Sequence, residues 1–364
     1  MWNGTEMLRS PESKGPERRI CFIADNLLGP QDEGIRKFAS SLLAAWPAGW
    51  DVLALSPRAS GPKNGVIPVK TNRLLLGREL WERVRRFRPE IVCYVPSSSA
   101  TLFGLLRSRV LKLYWPRARV VLVALQPRPY GWLGRTLAAR LAPDRVLVQS
   151  RRTGEALGRL GFRVGFVPGG VDVERFSPVS AEKKAALRAK HGLDPGSFTV
   201  LHVGHLSGLR NIESLPWVRQ ALGCQVVLVV SSLHSENKGL LDSLRERGVI
   251  VLDRYLPNIE EVYQLSDCYL FPVVSEQASI EVPLSVLEAM ACNIPVVSTR
   301  FGGLPDLFQE GEGLFFITSG LETLSALEKV GSLDCSRTRE KVLPYSWQAV
   351  AGSVISLARA EGAQ

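Results

Sequence analysis

The strongest constraint on the fold is an alternation of short apolar runs with amphipathic stretches along the whole chain. The apolar runs are rich in β-branched residues, as in RICFIA, IVCYVP, RVVLVAL, FTVLHVG, QVVLVVS and IPVVSTR. The stretches between them, such as GIRKFASSLLAAW and GRELWERVRRF, have the apolar spacing of helices. Strands without polar alternation, separated by helices, indicate parallel sheets that are covered on both faces. The pattern therefore predicts an α/β protein.

A break near residues 172–182 divides this pattern into two series. The stretch PGGVDVERFSPVSAEKK is rich in Pro, Gly and Ser, and a new series of strands follows it. We therefore predict two doubly wound domains, over residues 18–175 and 176–345. Residues 1–17 are polar and are predicted to be a disordered tail. Residues 346–364 have the spacing of an amphipathic helix.

Several classes of protein are disfavoured by the sequence. No apolar run approaches the roughly 18–20 residues of a membrane helix, and the N-terminal residues lack the apolar core of a signal peptide. The six cysteines are far apart without a CxxC pair, and the four histidines are scattered, so no metal site is expected. No GxGxxG follows the first strand, so a dehydrogenase-type dinucleotide fold has no support. We expect a cytoplasmic protein with reduced cysteines.

Basic charge is concentrated in the first half of the chain. Residues 1–175 hold 29 lysines and arginines against 14 aspartates and glutamates, whereas the remainder has an acidic excess. This asymmetry indicates an anionic partner for the first half, unless the arginines only keep the surface soluble. The stretch Thr101–Arg117 is a candidate for docking to an anionic membrane surface or a phosphorylated lipid. The alternative is a helix packed under the sheet with its arginines outward; no nucleic-acid-binding motif is present.

Residues that directly follow strands are candidate ligand contacts, because ligands bind at the carboxyl ends of strands in open parallel sheets. Gly34 opens the helix after the first strand, where either a ligand or a plain loop requires a small residue. Gly204, His205 and Arg210 follow the strand FTVLHVG, and a helix is predicted to begin near Asn211. A helix N-terminus with an arginine beside it is suited to a diphosphate.

The stretch SIEVPLSVLEAMACNIPVV places a carboxylate in an otherwise apolar helix. Pro283 suits the first turn, and the residues after it are apolar nearly all round, which predicts a buried helix. Glu288 lies on one stripe of this helix with Ser285 and Cys292. Because an unpaired buried carboxylate costs several kcal/mol, Glu288 needs a partner. The candidates are an internal arginine, a backbone cap, or a ligand hydroxyl pair such as that of a ribose.

These motifs, taken in order, resemble those of GT-B fold glycosyltransferases of the retaining family 4 type, which transfer sugar from a nucleotide diphosphate donor. The strongest likeness is Leu287–Phe308, LEAMACNIPVVSTRFGGLPDLF, supported by PGGVDVERFSP, VGHLSGLRN and SDCYLFPVVSE. The likeness covers nearly the whole chain. It implies two Rossmann-like domains that face each other across a cleft, with the acceptor on the first and the nucleotide sugar on the second. It also implies that the helix at Trp347 crosses back to the first domain.

The resemblance implies roles for single residues. Glu288 matches the glutamate that holds the donor ribose, and Arg210 falls where the family has a lysine or arginine on the donor diphosphate. Leu284 and Ser285 offer N–H groups to phosphate or sugar. Gly34 matches a glycine of the loop that closes over the donor.

The chain departs from the family at several of these positions. Glu281 is the nearest candidate for the first glutamate of the acidic motif but lies one residue late; with Arg210 it is expected to be catalytic. Pro283 stands in place of a glycine and has no N–H to give. Gly204 and His205 belong to the expected donor site, although His205 replaces a common arginine.

The first domain also departs from the family pattern. Residues 1–190 contain no histidine, so the first-domain histidine of many relatives is absent. Gln126 and Arg128, in the segment ALQPRPYGW, are the acceptor-side candidates.

The resemblance implies a retaining, metal-independent hexosyltransferase without a cofactor. Its donor would be a UDP- or GDP-sugar and its acceptor a glycan or a lipid-linked acceptor. Arg210 and helix N-termini at Asn211 and Leu284 would stabilise the departing nucleoside diphosphate. The competing hypothesis is a non-catalytic GT-B module that binds nucleotide or glycan and scaffolds a partner. A basic first domain would further place the protein at the inner face of a membrane.

Overall fold

The computed structural model describes residues 18–28, 33–57, 61–62, 64–230, 238–333 and 335–360. The disordered tail predicted for residues 1–17 lies outside the described residues. The strands are β1 Arg19–Ala24, β2 Asp51–Ser56, β3 Val66–Pro68, β4 Ile91–Val95, β5 Arg119–Ala124, β6 Arg145–Val148, β7 Val164–Phe166, β8 Thr199–Gly204, β9 Gln225–Val230, β10 Ile250–Leu252, β11 Cys268–Phe271, β12 Val296–Thr299 and β13 Leu314–Ile317. The α-helices are α1 Gly34–Ala44, α2 Arg78–Phe87, α3 Leu102–Tyr114, α4 Trp132–Arg140, α5 Arg151–Gly158, α6 Ala181–Lys190, α7 Leu215–Leu222, α8 Lys238–Glu246, α9 Glu260–Gln264, α10 Leu284–Ala291, α11 Leu304–Leu307, α12 Gly320–Gly331, α13 Thr338–Val342 and α14 Trp347–Arg359.

The strands form two parallel sheets with helices on their faces. The first has the order β3-β2-β1-β4-β5-β6-β7 and the second the order β10-β9-β8-β11-β12-β13. Every strand-to-strand ladder within the two sheets is parallel. The predicted α/β class with two doubly wound sheets is confirmed. The chain passes from one sheet to the other between Phe166 and Thr199.

The strand order reverses once in each sheet, and these reversals position the ligand site. In the first sheet the reversal lies between β1 and β4, and in the second between β8 and β11. A crevice opens at the carboxyl ends of the strands at such a point, because the connections leave in opposite directions. The start of α1 and the residues after β8 face a common cleft between the sheets.

Some elements differ from the sequence-based expectation. The helix expected near Asn211 begins at Leu215, after two short 3₁₀ turns, because Asn211 has a left-handed φ of 54°. Strands β3, β7 and β13 lie at sheet edges and were not anticipated from the apolar pattern. Edge strands are short and bury less surface, so their sequences carry a weaker signal.

Helix α14 packs against α1 and β5 of the first sheet, although it follows the second sheet in the chain. Trp347 meets Phe38 edge to face at a ring separation of 5.4 Å. A Cβ on Gly170 would lie about 2.5 Å from the Trp347 ring, so only glycine fits there. The apolar stripe of α14 is thereby buried against the first domain.

Helix α3, which includes most of the stretch proposed for membrane docking, packs under the first sheet. The alternative expectation of outward arginines is wrong for Arg107, which is buried and bonds Asp25 at 2.7 Å and the Tyr94 hydroxyl at 3.1 Å. Lys112 likewise bonds Asp144 at 2.8 Å. Within the described ranges, no helix has the length and apolarity required to cross a membrane.

The cysteines lie mostly where the apolar runs place them. Five are buried as free thiols, whereas Cys335 is exposed. Burial raises the pKa of the Cys93 thiol to about 12, so this group stays protonated and acts as a small apolar side chain.

Candidate active site

A pocket of about 160 Å³ lies in the cleft between the two sheets. The end of β8, the start of α1, the start of α10 and the segment 254–259 surround it. All the residues predicted for the donor site line it: Gly34, Gly204, His205, Arg210, Leu284, Ser285 and Glu288. Residues from three distant parts of the sequence are thus brought to one site.

Arg210 provides a buried cation at this pocket. Its Nη2 donates to the Ala278 carbonyl at 2.8 Å, while its Nε is buried without a hydrogen-bond partner among the described residues. Burial lowers the pKa of this guanidinium. A Cβ at Gly204 would overlap the guanidinium, so the glycine makes the room that Arg210 occupies. The guanidinium is therefore held in place, and no carboxylate pairs with it among its described contacts. A buried cation without a carboxylate partner favours the binding of an anion.

His202 lies behind Arg210 in the core. Its Nδ1 is 2.8 Å from the Leu270 carbonyl, and burial lowers its pKa to about 4. The imidazole is thus neutral at physiological pH and adds no charge to the pocket.

The Glu288 carboxylate has protein partners on both oxygens. Lys37 of α1 forms an ion pair with Oε1, and the Tyr263 hydroxyl donates to Oε2 at 2.9 Å. The internal arginine considered from the sequence is thus replaced by a lysine from the other domain. Burial, followed by the charge of Glu288, raises the pKa of Tyr263, which therefore remains a donor. Because Lys37 and Glu288 both line the pocket, their contact links the two walls of the cleft.

Gly34 faces the second domain at the first residue of α1. The position of its absent Cβ is 3.5 Å from the Ile280 side chain, which makes ordinary van der Waals contact. Ile280 also lines the pocket, so an apolar side chain stands at this end of the site.

Glu281 does not line this pocket, in contrast to the expectation that it would act beside Arg210. Its Oε1 accepts hydrogen bonds from Ser150 Oγ at 2.5 Å and Thr153 Oγ1 at 2.6 Å, at the start of α5. Its backbone N–H donates to Leu125 O at 2.9 Å. The neighbouring Ile280 lines the pocket in its place, whereas the Glu281 side chain is turned toward the first domain by these hydroxyl groups.

The glycine pair after β12 approaches protein backbone. Gly303 N–H donates to Glu281 O at 2.8 Å. A Cβ on Gly302 would overlap Glu281, and one on Gly303 would overlap Gln149 O. The Gln149 side chain in turn accepts the Val282 N–H at 3.2 Å. These contacts fix the segment before α10 against the first domain.

The two acceptor-side candidates lie together on the first domain, next to this segment. Gln126 Nε2 donates to Ser279 O at 3.2 Å, and Arg128 Nη2 donates to Gln126 Oε1 at 2.7 Å. They line a second, larger groove, whereas Ser279 lines the pocket. Gln126 thus lies at the divide between the two spaces.

Five charged or aromatic residues that line the pocket were missed by the sequence reasoning: Glu33, Lys37, Arg175, Arg254 and Tyr255. Lys37 was detectable, because it lies one helical turn after Gly34 and therefore on the same face of α1. Arg254 and Tyr255 follow the short strand β10 and gave no distinct sequence signal.

Comparison with known proteins finds a family match within the second half of the chain. Residues 197–329 match the family described as Glycosyl transferases group 1. The sulfoquinovosyl transferase SQD2 of Arabidopsis thaliana is 26% identical over 76% of this chain and 58% of its own length. A D-inositol 3-phosphate glycosyltransferase of a Mycobacterium species (strain KMS) is 30% identical over 46% of this chain and 40% of its own length. The chain therefore spans between two fifths and three fifths of these curated relatives.

Solved structures share the fold over nearly the whole chain. The Anabaena protein HepE, crystallised with UDP-glucose, superposes with a TM-score of 0.68 at 18% identity, covering 94% of this chain and 97% of that one. Sucrose-phosphate synthase from Thermosynechococcus elongatus gives a TM-score of 0.72 at 18% identity, covering 94% and 98%.

Proposed function

For a chain that carries a glycosyl transferases group 1 domain on the GT-B fold, we propose that the cleft transfers a sugar from a nucleotide diphosphate to an acceptor. The single observation that carries this proposal is Arg210, a buried cation in the cleft with an unpartnered Nε. A nucleoside diphosphate is the leaving group whose negative charge such a cation stabilises. HepE, which shares the fold, binds UDP-glucose.

The first N–H groups of α10 support the same chemistry. Leu284 and Ser285 line the pocket at the start of this helix, where N–H groups have no helical acceptor. The helix dipole adds partial positive charge there. Arg210 and α10 together would neutralise the diphosphate, and we propose that the reaction therefore needs no metal.

Donor binding requires a rearrangement at Glu288. The pocket volume of about 160 Å³ is below the roughly 300 Å³ of a typical ligand site. Lys37 and Glu288, which both line the pocket, are paired with each other. We propose that the donor ribose replaces Lys37 as the partner of Glu288 and that Lys37 turns toward the diphosphate. The exchange keeps the buried carboxylate hydrogen-bonded, as its burial demands.

We propose that the donor is a hexose nucleotide and that its anomeric configuration is retained, on the family resemblance of the motifs. The departing phosphate would then accept the proton of the acceptor hydroxyl. A first domain without a histidine before His191 is compatible with such a mechanism. The acceptor would lie on the side of Gln126 and Arg128.

The second candidate is a nucleotide-binding scaffold without turnover. The observation in its favour is Glu281, whose carboxylate is bonded to the first domain and does not line the pocket. Turnover measurements separate the two candidates, because only an enzyme releases free sugar from a donor in the absence of acceptor.

The decisive experiment replaces Arg210 by alanine and measures release of UDP from UDP-glucose and of GDP from GDP-mannose. We expect turnover of the accepted donor to fall about 10²–10³-fold, as for loss of one preorganised charge donor at a leaving group. The control is Arg337→Ala, which removes an exposed arginine that pairs with Glu340 and does not line the pocket. Circular dichroism must give the same fold for both variants. Normal turnover in Arg210→Ala would remove the assigned role, and no turnover by the unmodified protein with either donor would favour the scaffold.

A further inference from the structure

A groove lined by arginines lies beside the donor pocket. Its volume is about 690 Å³, and its walls are α4, α5 and the loop from Gln126 to Tyr130 in the first domain, together with residues 275–277 of the second. Arg128, Arg135, Arg152 and Arg159 line it. Glu276 is the single carboxylate among the lining residues that the structure describes. The groove therefore carries a net positive charge.

The carboxylates near the groove leave much of this charge uncompensated. Arg152 pairs with Glu276. The ion pair between Arg159 and Glu155 is long, at 3.5 Å, and both of its side chains are more than half exposed. Arg128 donates to the neutral amide of Gln126, and its Nε is buried without a partner in the described part of the chain. Exposed ion pairs contribute little, so these arginines are available to a bound anion.

The groove is continuous with the donor pocket along one short segment. Ser275, Glu276 and Gln277 line the groove, whereas Ser279 and Ile280 line the pocket. The hydrogen bond between Gln126 and Ser279 marks the divide. A molecule in the groove therefore lies beside a sugar donor in the pocket. The donor diphosphate has its own cation in Arg210, so the arginines of the groove are left for a second anion.

We propose that the acceptor carries a phosphate group and that the arginine groove binds it; this rests on the proposed glycosyltransferase function. Guanidinium groups pair with phosphate oxygens through two parallel hydrogen bonds, which fixes orientation as well as affinity. A phosphate monoester carries a charge of about −1.5 to −2 at neutral pH. It therefore balances the charge of four arginines better than a ligand carboxylate, with a single negative charge, would. Arg128 and Arg135, which lack a carboxylate among their described contacts, are the main contacts.

The phosphate belongs either to a soluble sugar phosphate or to a lipid headgroup. The two sources differ in whether they would contact the exposed apolar side chains of α4. Trp132 on this helix is 78% exposed and Leu137 is 48% exposed, on the same element as Arg135. A lipid source would use this apolar surface, since exposed tryptophan and leucine beside arginine are suited to a membrane interface. A soluble source would not need it.

The test measures binding of two phosphate probes to the full chain. Glucose 6-phosphate and glucose are titrated by calorimetry, with and without UDP. Vesicles of phosphatidylcholine with and without about a third of phosphatidylglycerol are co-sedimented with the protein at two salt concentrations. We expect one of the two phosphate probes to bind at least about tenfold better than its phosphate-free or zwitterionic counterpart.

Variants assign the binding to the groove. Arg128→Gln combined with Arg135→Gln should weaken binding of that probe by about tenfold or more, as expected for loss of charge-assisted hydrogen bonds. Arg135→Gln alone, at an exposed side chain, gives a smaller loss and serves if the double variant does not fold. Arg140→Gln on the same helix lies outside the groove and should change binding by less than about twofold. Trp132→Ala should reduce binding only if the probe is the vesicle.

Two results would overturn the proposal: neither phosphate probe binds, or the groove variants bind as tightly as the unmodified chain. Failure of the proposed function looks different. In that case the protein releases no nucleoside diphosphate from any donor, while the phosphate probe still binds and depends on Arg135. Conversely, donor turnover without phosphate binding would support the proposed glycosyltransferase function and contradict phosphate binding by the groove.

Discussion

Glu281 illustrates how a shift of one residue changes the role of a carboxylate. At position 280 an acidic side chain would face the donor pocket, but this chain has Ile280 there. Glu281 is instead buried, with its Oε1 bonded to two hydroxyl groups of the first domain and its Oε2 without a partner in the described residues. We infer that Glu281 holds the segment before α10 to α5.

Burial raises the pKa of Glu281 and is the largest effect on it. The hydrogen bonds from Ser150 and Thr153 lower the pKa by less. The charges of Glu276, which raises it, and Arg152, which lowers it, have smaller effects. A carboxyl whose folded pKa is raised binds more protons in the folded than in the unfolded state. Its contribution to stability is present below the ordinary pKa of about 4.5 and is lost as the pH rises through the raised value.

The glutamine in Glu281→Gln does not titrate. We therefore expect the free energy of unfolding of this variant, relative to that of the unmodified protein, to increase as the pH rises from 4.5 to 7.5. Urea unfolding at both pH values measures the difference. Glu340→Gln is the contrast, because Arg337 lowers the pKa of that carboxyl and the pH dependence should then have the opposite sign. A difference for Glu281→Gln that does not change with pH would contradict the buried, pKa-raised state.

The partners of Glu288 could be expected from the sequence only in part. A carboxylate buried in an apolar helix needs a partner, and Glu288 has two, Lys37 and Tyr263. The requirement followed from the cost of burying charge. The identity of the partners did not, because Lys37 comes from the other domain and Tyr263 from α9.

Among the elements, the apolar pattern located most strands of both sheets, whereas it located only about half of the α-helices. The 3₁₀ turns before α7 escaped it, since a local left-handed residue such as Asn211 leaves no periodic signal. The crossing of α14 onto the first domain, which the family resemblance implied, depends on a close fit between Trp347 and Gly170.

Replacement of Trp347 by alanine should lower the free energy of unfolding by about 3–5 kcal/mol, because it opens a cavity between α14, Phe38 and Gly170. Denaturant unfolding followed by circular dichroism measures the change. Trp132→Ala is the matched control; its ring is 78% exposed, so stability should change by less than about 0.5 kcal/mol. Equal effects of the two substitutions would mean that α14 does not hold the first domain.

For the chain as a whole, residues 197–329 match the family described as Glycosyl transferases group 1, and the two parallel sheets confirm the predicted fold. The cleft gathers side chains from both domains. Lys37 meets Glu288, and Gln126 meets Ser279. A ligand in this cleft would therefore stabilise both domains together.

Nucleoside diphosphates should accordingly raise the melting temperature more than the free nucleosides do, since the proposed site adds Arg210 and the start of α10 as contacts for the diphosphate. At about 100 times the dissociation constant the stabilisation is about 2.7 kcal/mol. A thermal-shift series of UDP, GDP and ADP against uridine, guanosine and adenosine provides the measurement. An equal shift by a nucleoside and its diphosphate would contradict the assigned diphosphate site, and the base with the largest shift identifies the donor class.

The sequence alone predicted the α/β class, the two series of strands and seven of the residues that line the pocket, because buried parallel strands have a local apolar pattern and ligand residues follow their carboxyl ends. The tertiary structure decided the partners of these residues. Lys37 on Glu288, Glu281 on α5 and the arginine groove beside Gln126 each join residues far apart in the chain. Such contacts depend on how the two sheets pack across the cleft, and no local pattern in the chain encodes that arrangement.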